Sequence, residues 1–249
     1  MSLRDRIATP DGKRRFVRAI FATIADRYDF ITVVLSYGQD ARWKRRLIDL
    51  AAPRPGARAL DLATGTGDLA FALAARGARV AGLDITFRMI ELAVAKGARG
   101  VPPSGSPERL ALPSPQFLVG DMQALPFPSG SFDLVTTGYG LRNVPVLSAA
   151  IDEIARVLAP GGELLSLDFN RPANVFVRTA YVWYLSSVGA ALGWLLHRDP
   201  DTYRYIPASI RQYPGAEAVA RMFEARGFTG VRCYPVLGGL MTIHHATRA

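Results

Sequence analysis

Residues 59–68 read Ala-Leu-Asp-Leu-Ala-Thr-Gly-Thr-Gly-Asp, and this stretch decides the fold. It predicts a short apolar strand, a glycine turn and then the start of a helix. Glycines let the backbone approach a ligand closely, and the first N–H groups of the helix are available to bind it. The next apolar run, residues 79–84, ends at Asp84, where a carboxylate can accept hydrogen bonds from two ribose hydroxyls. The pattern indicates a nucleoside-bearing cofactor.

Two cofactor classes fit this pattern. Gly65, Gly67 and Ala70 also satisfy the fingerprint of a dinucleotide-binding turn, which is a weak signal by itself. Asp61 lies four residues before the first glycine, and a carboxylate there suits an ammonium group and repels a pyrophosphate. Because S-adenosylmethionine carries an ammonium group and a sulfonium, we favour it over a dinucleotide. The remaining alternative is a tight turn that binds nothing.

Strands and helices alternate from residue 57 onward, which predicts one α/β domain with a parallel sheet and right-handed crossovers. We expect a doubly wound, seven-stranded sheet, mostly parallel, with one antiparallel strand, because the last two strands are too close for a helical crossover. The predicted strands are 57–63, 79–84, 116–119, 132–137, 163–168, 229–236 and 239–247, and the predicted helices are 67–76, 86–97, 146–158 and 216–226. The predicted parts are an N-terminal helical cover (1–52), a cofactor-binding core (57–169), a helical lid insertion (170–215) and a closing helix with two strands (216–249).

Composition and charge indicate the compartment and the partners to expect. The first residues lack the apolar core of a signal peptide, and a single cysteine, Cys233, fits a reducing compartment, so the cytoplasm is expected. We expect Cys233 to be a core residue, and the histidines show no metal-ligand spacing. The net charge of +9 includes two basic clusters, residues 13–18 and 42–46, which suit an anionic membrane surface or a solvated helix face. No pattern supports nucleic acid as a partner.

Residues 179–196 carry no charge, which meets the length threshold for a membrane span. Strands 229–236 and 239–247 must rejoin the sheet, however, and a helix that crossed a bilayer would prevent this. The better interpretation is a helix with one face on the domain and the other against a greasy ligand or a membrane. We expect it to lie over the cofactor cleft as a lid or entry wall.

Several motifs then point to a family. Five are generic: residues 61–67, Asp84, 121–127, 132–135 and 158–162. Three are narrower: Tyr28-Asp29 with residues 35–38 and 42–44, the run Gly140-Leu-Arg-Asn-Val144, and residues 201–206 with Ser209-Ile210 and Pro214. From about residue 15 to its end, the chain resembles the class I S-adenosylmethionine-dependent methyltransferases, and more narrowly the ubiquinone/menaquinone biosynthesis C-methyltransferases. This resemblance implies a Rossmann-like fold.

The resemblance also implies a set of site residues. Asp84 would hold the ribose, and the cofactor's remaining contacts would come from Asp61, Gly65, Thr66, Gly67, Ile85, Asp121, Met122 and Gly138. Arg142 and Asn143 follow a strand at the ligand edge of the sheet, where Arg142 can stabilise phenolate charge and Asn143 can orient a ring oxygen or a water. A loop salt bridge or cap is the alternative for both. Tyr28 joins the catalytic set by the resemblance alone.

The implied reaction is C-methylation of a polyprenylated quinol, with demethylmenaquinol and the ubiquinone-pathway benzoquinol both open. The chain departs from the family where Ile31-Thr32 replaces the usual Met-Asn, and where Gln39-Asp40-Ala41 lacks the usual histidine. These departures bear on substrate identity. The alternatives are a small-molecule methyltransferase of secondary metabolism and a non-catalytic partner in a membrane-associated biosynthetic complex. A homodimer is also compatible with the sequence.

Overall fold

The computed structural model describes residues 3–99, 114–171, 174–198 and 202–249; Asp201 of the third narrow motif lies outside these ranges. The described strands are β1 (Arg58–Leu62), β2 (Arg79–Asp84), β3 (Gln116–Val119), β4 (Phe132–Gly138), β5 (Leu158–Phe169), β6 (Phe228–Val236) and β7 (Met241–Arg248). They form one sheet in the order β3-β2-β1-β4-β5-β7-β6. Only β7 runs antiparallel to its neighbours in this described sheet, which confirms the predicted topology.

Helices cover both faces of the sheet. The described helices are α1 (Leu3–Arg6), α2 (Pro10–Ile24), α3 (Tyr28–Leu35), α4 (Asp40–Ala51), α5 (Asp68–Ala74), α6 (Phe87–Arg99), α7 (Leu147–Val157), α8 (Val175–His197), α9 (Tyr205–Gln212) and α10 (Ala216–Glu224). Neighbouring residues of a strand point to opposite faces. Val135 of β4 therefore packs in the cluster with α7 and α10, and Leu134 packs in the cluster with α4 and α5. This is the expected doubly wound arrangement.

Two local predictions were inaccurate. Strand β5 pairs with β4 from Leu158, although the sequence predicted a turn up to residue 162. The turn is present as a bulge, because Phe132 pairs with Leu158 and the next pair joins Leu134 to Glu163. The prediction that Cys233 is a core residue was wrong: it is exposed on β6, which lies at the edge of the sheet.

Helix α8 is the one described helix long and apolar enough to span a membrane by length and composition. Its inner face packs on the protein, with Tyr181 and Leu185 against α9 and Leu192 against α2 and α3. The chain enters α8 from β5 and returns to β7, and these two strands are hydrogen-bonded neighbours. A single crossing of a bilayer would separate them, so the structure supports a surface helix rather than a span.

One ammonium group ties the N-terminal helices to the sheet. The Nζ atom of Lys44, on α4, lies 2.6 Å from Asp40 and 2.8 Å from Asp68 at the start of α5. Asp40 also accepts a 2.6 Å hydrogen bond from the Tyr139 hydroxyl, just past β4. Burial acts to lower the pKa of Lys44, but the charges of Asp40 and Asp68 outweigh it and the pKa is raised. Lys44 therefore holds α4, the turn before α5 and the end of β4 together.

Replacing Lys44 by Met should destabilise the fold strongly, since it leaves the buried Asp40 carboxylate without its cation. Breaking one side of a buried pair costs roughly 3–5 kcal/mol. Lys96→Met is the matched control, because Lys96 also pairs with Asp68 but its side chain is 39% exposed, against 14% for Lys44. An exposed pair contributes roughly 0–1 kcal/mol. Urea unfolding that gave equal losses for the two variants would contradict this role.

Candidate active site

A first cavity lies at the carboxyl ends of the parallel strands, where ligands bind in folds of this kind. We call it the edge cavity; its volume is about 670 Å³, part of which is open to solvent. Its walls come from the residues that end or follow β1, β2, β3 and β4, together with α2 and α3 of the N-terminal cover. Of the predicted cofactor residues, those that line it are Gly65, Asp84, Ile85, Asp121, Met122 and Gly138. Tyr28 and Asn143 of the predicted catalytic set line it as well.

Asp84 is the acid around which the turn is built. One carboxylate oxygen accepts the Gly65 N–H at 3.0 Å and the other accepts the Thr86 N–H at 2.8 Å. Gly65 lies at a φ of +56°, in the left-handed region that favours glycine. Each oxygen keeps a lone pair for a further donor. The carboxylate is therefore oriented by the turn and can still accept hydrogen bonds from a ligand in the edge cavity.

Asp61, Thr66 and Gly67 do not line the edge cavity. Asp61 lies behind the turn, where its two oxygens accept the hydroxyls of Thr64 at 2.6 Å and Thr136 at 2.8 Å. The Thr136 bond follows from the register, because Thr136 is directly opposite Asp61 on β4. The Thr66 hydroxyl donates to Asp29 at 2.6 Å. In this geometry Asp61 and Thr66 shape the turn rather than face the cavity.

Gly67 is required by packing. It has a φ of +88°, and a Cβ atom there would lie 2.8 Å from the ring of Phe71. Asp121 lines the edge cavity and also has a contact that the sequence did not predict: one of its oxygens accepts a hydrogen bond from Arg14 of α2 at 2.9 Å. Arg14 belongs to the first basic cluster, so part of that cluster closes the edge cavity instead of serving as surface charge.

A second cavity of about 710 Å³ lies between the N-terminal helices, α8, α9 and the sheet. We call it the apolar cavity, because aliphatic and aromatic side chains make most of its lining. The contributing residues on α3 are Tyr28, Ile31, Thr32 and Leu35. Two of these, Ile31 and Thr32, are the positions at which the sequence departs from the family pattern. Helix α8 contributes Tyr181 to this cavity and no residue to the edge cavity.

The predicted position of α8 over the cofactor cleft was therefore wrong. The helix packs behind the apolar cavity, because its inner face contacts α3 and α9 rather than the strand ends.

The two cavities share a wall. Phe21, Tyr28 and Tyr139 line both of them, so these side chains lie between the two spaces. Tyr139 is held at a φ of +61°, which is uncommon for a residue with a side chain, and its hydroxyl is anchored on Asp40. Burial raises the pKa of the Tyr28 hydroxyl, so Tyr28 is a hydrogen-bond donor at neutral pH.

Arg142 and Asn143 sit on opposite sides of this partition. Arg142 lines the apolar cavity, and its guanidinium carbon lies 4.7 Å from the centre of the Phe169 ring. Its Nη1 donates to the Asn143 side chain at 3.0 Å, and its Nε lies 3.4 Å from Asp168. The Nε atom is buried and has no hydrogen-bond partner among the described residues. The arginine is thus fixed by an ion pair, a hydrogen bond to Asn143 and a contact with the Phe169 ring.

Sequence reasoning missed the roles of four residues: Asp168, Tyr139, Lys44 and Lys13. Asp168 is the penultimate residue of β5, and Asp84 is the last residue of β2. That parallel was available as a signal, because both acids stand near the end of an apolar strand at the ligand edge. Tyr139 and Lys44 offered no comparable signal. Lys13 also acts here: its Nζ donates to the Arg142 carbonyl at 3.2 Å, and burial, aided by the charge of Arg142, lowers the pKa of Lys13 to about 8. No group of three or more metal-ligating side chains occurs in the described part of the chain.

The buried carboxyl of Asp61 should make stability depend on pH. Burial raises the pKa of Asp61 to about 6 from 3.8, even though the Thr64 and Thr136 hydroxyls oppose the shift. A raised carboxyl pKa means that the folded state binds more protons between these two values, so stability falls as pH rises through this window. The difference of about two pKa units corresponds to roughly 3 kcal/mol.

Asp61→Asn tests this directly, because the amide resembles the protonated acid and does not titrate. Urea unfolding of both proteins at each pH gives their free energies of unfolding. The value for the variant minus that for the parent should increase by roughly 3 kcal/mol as the pH rises from 4 to 8. If the difference in unfolding free energy between the two proteins stays constant across this pH range, Asp61 does not titrate there.

Solved structures of methyltransferases share this fold. Among solved structures, a magnesium protoporphyrin IX methyltransferase from Synechocystis with bound SAM aligns with a TM-score of 0.63, covering 95% of this chain and 97% of that one at 19% identity. A SAM-dependent methyltransferase from Thermotoga maritima aligns with a TM-score of 0.64 at 17% identity, covering 94% of this chain and all of that one. At these identities the likeness shows the fold, which is that of class I methyltransferases.

Relatives found by sequence share more identity with this chain than these solved structures do. A demethylmenaquinone methyltransferase from Thermus thermophilus is 41% identical, covering 92% of this chain and all of the relative. A ubiquinone/menaquinone biosynthesis C-methyltransferase from Teredinibacter turnerae is 36% identical, covering 95% and 93%. The expected enzyme class and cofactor are confirmed: the chain is an S-adenosylmethionine-dependent methyltransferase. The model of the ubiE/COQ5 methyltransferase family matches residues 9–248, and the chain belongs to that family.

Proposed function

We propose that this protein transfers a methyl group to a ring carbon of a polyprenylated quinol, either demethylmenaquinol or its ubiquinone-pathway counterpart. The single observation that carries the proposal is the pair of cavities that meet at Tyr28 and Tyr139. One cavity has the carboxylate and backbone groups that suit the methyl donor, and the other is lined mostly by apolar side chains. Relatives named for demethylmenaquinone and ubiquinone/menaquinone methylation support the choice of substrate.

The edge cavity fits S-adenosylmethionine by the chemistry of its lining. Asp84 offers oriented carboxylate oxygens for the ribose hydroxyls, and Asp121 with the apolar side chain of Met122 suits an adenine ring. S-adenosylmethionine supplies an electrophilic methyl group when it is bound. The residues that hold it act by positioning, which is the main source of catalysis in an in-line displacement.

The apolar cavity fits the ring and the first part of a prenyl tail. Arg142 and Tyr28 line this cavity beside the partition. An aromatic ring carbon becomes a good nucleophile once a neighbouring hydroxyl has lost its proton, so the site must stabilise a phenolate. Arg142 would do this, and Asp168 and Phe169 hold its guanidinium in place.

Asn143 and Tyr28 would complete the site. The Asn143 carboxamide bridges Arg142 and the Tyr139 carbonyl, so it fixes the arginine against the partition. Tyr28, protonated at neutral pH, can donate a hydrogen bond to a ring oxygen or to a water. In this proposal Ile31 and Thr32 of the cavity wall contribute to the choice of quinol.

The setting of the enzyme is also a proposal. A prenylated substrate resides in a membrane, and the net charge of +9 favours contact with an anionic surface, so we place the enzyme in the cytoplasm with peripheral membrane contact. We expect no nucleic-acid partner. A homodimer is a further possibility for the assembly, and light scattering across a range of protein concentrations tests it by the mass of the particle.

Asp84→Ala should weaken S-adenosylmethionine binding about tenfold or more, since it leaves two ribose hydroxyls and two backbone N–H groups without an acceptor. Such unpaired groups cost roughly 1–3 kcal/mol in a partly buried site. Asp49→Ala is the control, because Asp49 pairs with Arg76 on the exposed surface. Calorimetry that shows unchanged affinity in Asp84→Ala would refute the assignment, and tight NADH binding by the parent would favour a dinucleotide.

Arg142→Ala should lower the methylation rate about a hundredfold or more while cofactor affinity stays near the parent value, because the charge it stabilises grows as the phenol ionises. The assay uses the reduced, prenylated quinol and follows the methylated product. Arg142→Lys keeps a cation beside Asp168, so its methylation rate should lie between those of the parent and Arg142→Ala. Asn143→Ala should also lose activity, since it releases the guanidinium.

The parent enzyme should act on the reduced ring and not on the oxidised quinone. If the protein methylates a natural product without a prenyl tail and no prenylated quinol, it is a small-molecule methyltransferase of secondary metabolism. Full activity of Arg142→Ala would show that another group stabilises the phenolate.

A further inference from the structure

The outer face of α8 carries exposed aromatic side chains along its length, with the exposed Ser187 between two of them. Phe176, Trp183 and Trp194 are 86%, 71% and 68% exposed. They are 7 and 11 residues apart, which is about two and three helical turns, so the three rings lie in one line on the side opposite the buried Leu185. Exposed aromatic rings of this size in a row are unusual on a protein that faces water alone.

Helix α3 extends this face. Phe30, Val33 and Tyr37, on and just after α3, are each more than half exposed. The Tyr37 ring stacks on Tyr184 of α8 with 4.8 Å between ring centres, so the two helices present adjoining surfaces. We call the exposed sides of α3 and α8 together the outer face. The opposite side of α3 lines the apolar cavity, which places that cavity one helix away from the outer face.

A groove with three arginines adjoins the outer face. Arg171, Arg178 and Arg211 line it together with Trp183, which belongs to the groove and to the row of exposed rings. The hydroxyls of Thr179 and Ser186 also line it, and no carboxylate is found in its lining among the described residues. Guanidinium groups bind phosphate oxygens in pairs of hydrogen bonds, so Arg171 and Arg211 suit a phosphate group. Arg178 already has an interaction within the protein.

We propose that the arginine groove binds the phosphate of an anionic glycerophospholipid while the outer face lies in the interfacial layer of the same membrane. The chemistry is complementary in both parts: guanidinium groups meet the phosphate, and the aromatic rings meet the region between headgroups and acyl chains. This inference rests on the proposed prenylated substrate, because it sets the apolar cavity beside the membrane that holds such a molecule.

This docking site differs from the basic clusters that the sequence singled out. Lys13 donates to the Arg142 carbonyl, Arg14 pairs with Asp121, and Lys44 is buried between two acids. These three cations serve the catalytic site, whereas the other members of the two clusters are exposed: Arg15, Arg18, Arg42, Arg45 and Arg46. The arginine groove lies instead between α8 and α9, and it borders the exposed rings directly through Trp183.

The test is flotation of the full-length protein with vesicles. Vesicles of phosphatidylcholine alone are compared with vesicles that contain one fifth phosphatidylglycerol. The test variant is Arg171→Gln with Arg211→Gln. The matched control is Arg79→Gln with Arg232→Gln, which removes the same charge from exposed positions on β2 and β6 that do not line the groove.

We expect the parent to bind the anionic vesicles and to lose that binding in high salt. The groove variant should lose on the order of tenfold in partitioning, and the control should stay within about twofold. Equal loss in the two double variants would overturn the groove as a phosphate site, because net charge alone would then explain the binding. Failure of the parent to bind either kind of vesicle would overturn the docking proposal.

Fluorescence tests the outer face. The chain has three tryptophans, and Trp43 is buried, so quenching by lipids with brominated acyl chains reports on Trp183 and Trp194. The parent should be quenched, and Trp183→Phe with Trp194→Phe should abolish the quenching. An unquenched parent on anionic vesicles would overturn the interfacial placement.

Activity on a short-tailed quinol in solution separates the two proposals. The groove variant should methylate it at the parent rate. A parent that methylates this quinol without binding vesicles would sink the docking site alone, whereas a parent that binds vesicles without methylating any quinol would sink the proposed function.

Discussion

The buried ammonium of Lys44 is the contact on which both cavities depend. It lies between Asp40 of its own helix and Asp68 at the start of the helix that follows the glycine turn. Through Asp40 it also reaches the hydroxyl of Tyr139, which forms part of the partition. A buried cation needs more than one acid to offset the loss of water, and here the acids come from two separate parts of the chain. Satisfying this one charge therefore requires the N-terminal cover to be seated on the sheet, and this closes the edge cavity and forms the apolar one.

The partition explains how a methyl donor and an apolar acceptor can bind in two adjoining but separate cavities. Tyr28 and Tyr139 separate a polar-edged space from an apolar one, and Arg142 and Asn143 are joined across the same boundary. A displacement reaction needs its two reactants held in line more than it needs acid or base groups. In the proposed reaction, the fold contributes this alignment, and Arg142 contributes a positive charge beside the ring oxygen.

Much of this could be predicted from local sequence. The glycine turn, the acid that ends β2 and the alternation of strands and helices are each encoded within a few residues, so the sheet and most of the edge cavity were expected. The role of Asp61 was less accessible, because it depends on Thr136, which is its neighbour only after β1 and β4 pair. Lys44 was counted as surface charge, since a sequence does not show that Asp40 and Asp68 enclose it. The position of α8 was missed for a similar reason: an uncharged helix can pack in many places, and its inner face is selected by α3 and α9.

The most direct measurement is a crystal structure of the protein with S-adenosylhomocysteine and a short-tailed prenylated quinol. The account predicts that the sulfur lies in the edge cavity at the partition of Tyr28 and Tyr139. It also predicts that the ring lies on the other side, with a ring oxygen within hydrogen-bonding distance of Arg142 and the tail directed along the apolar cavity. A quinol ring bound outside the apolar cavity, or a sulfur that faces away from the partition, would contradict the account.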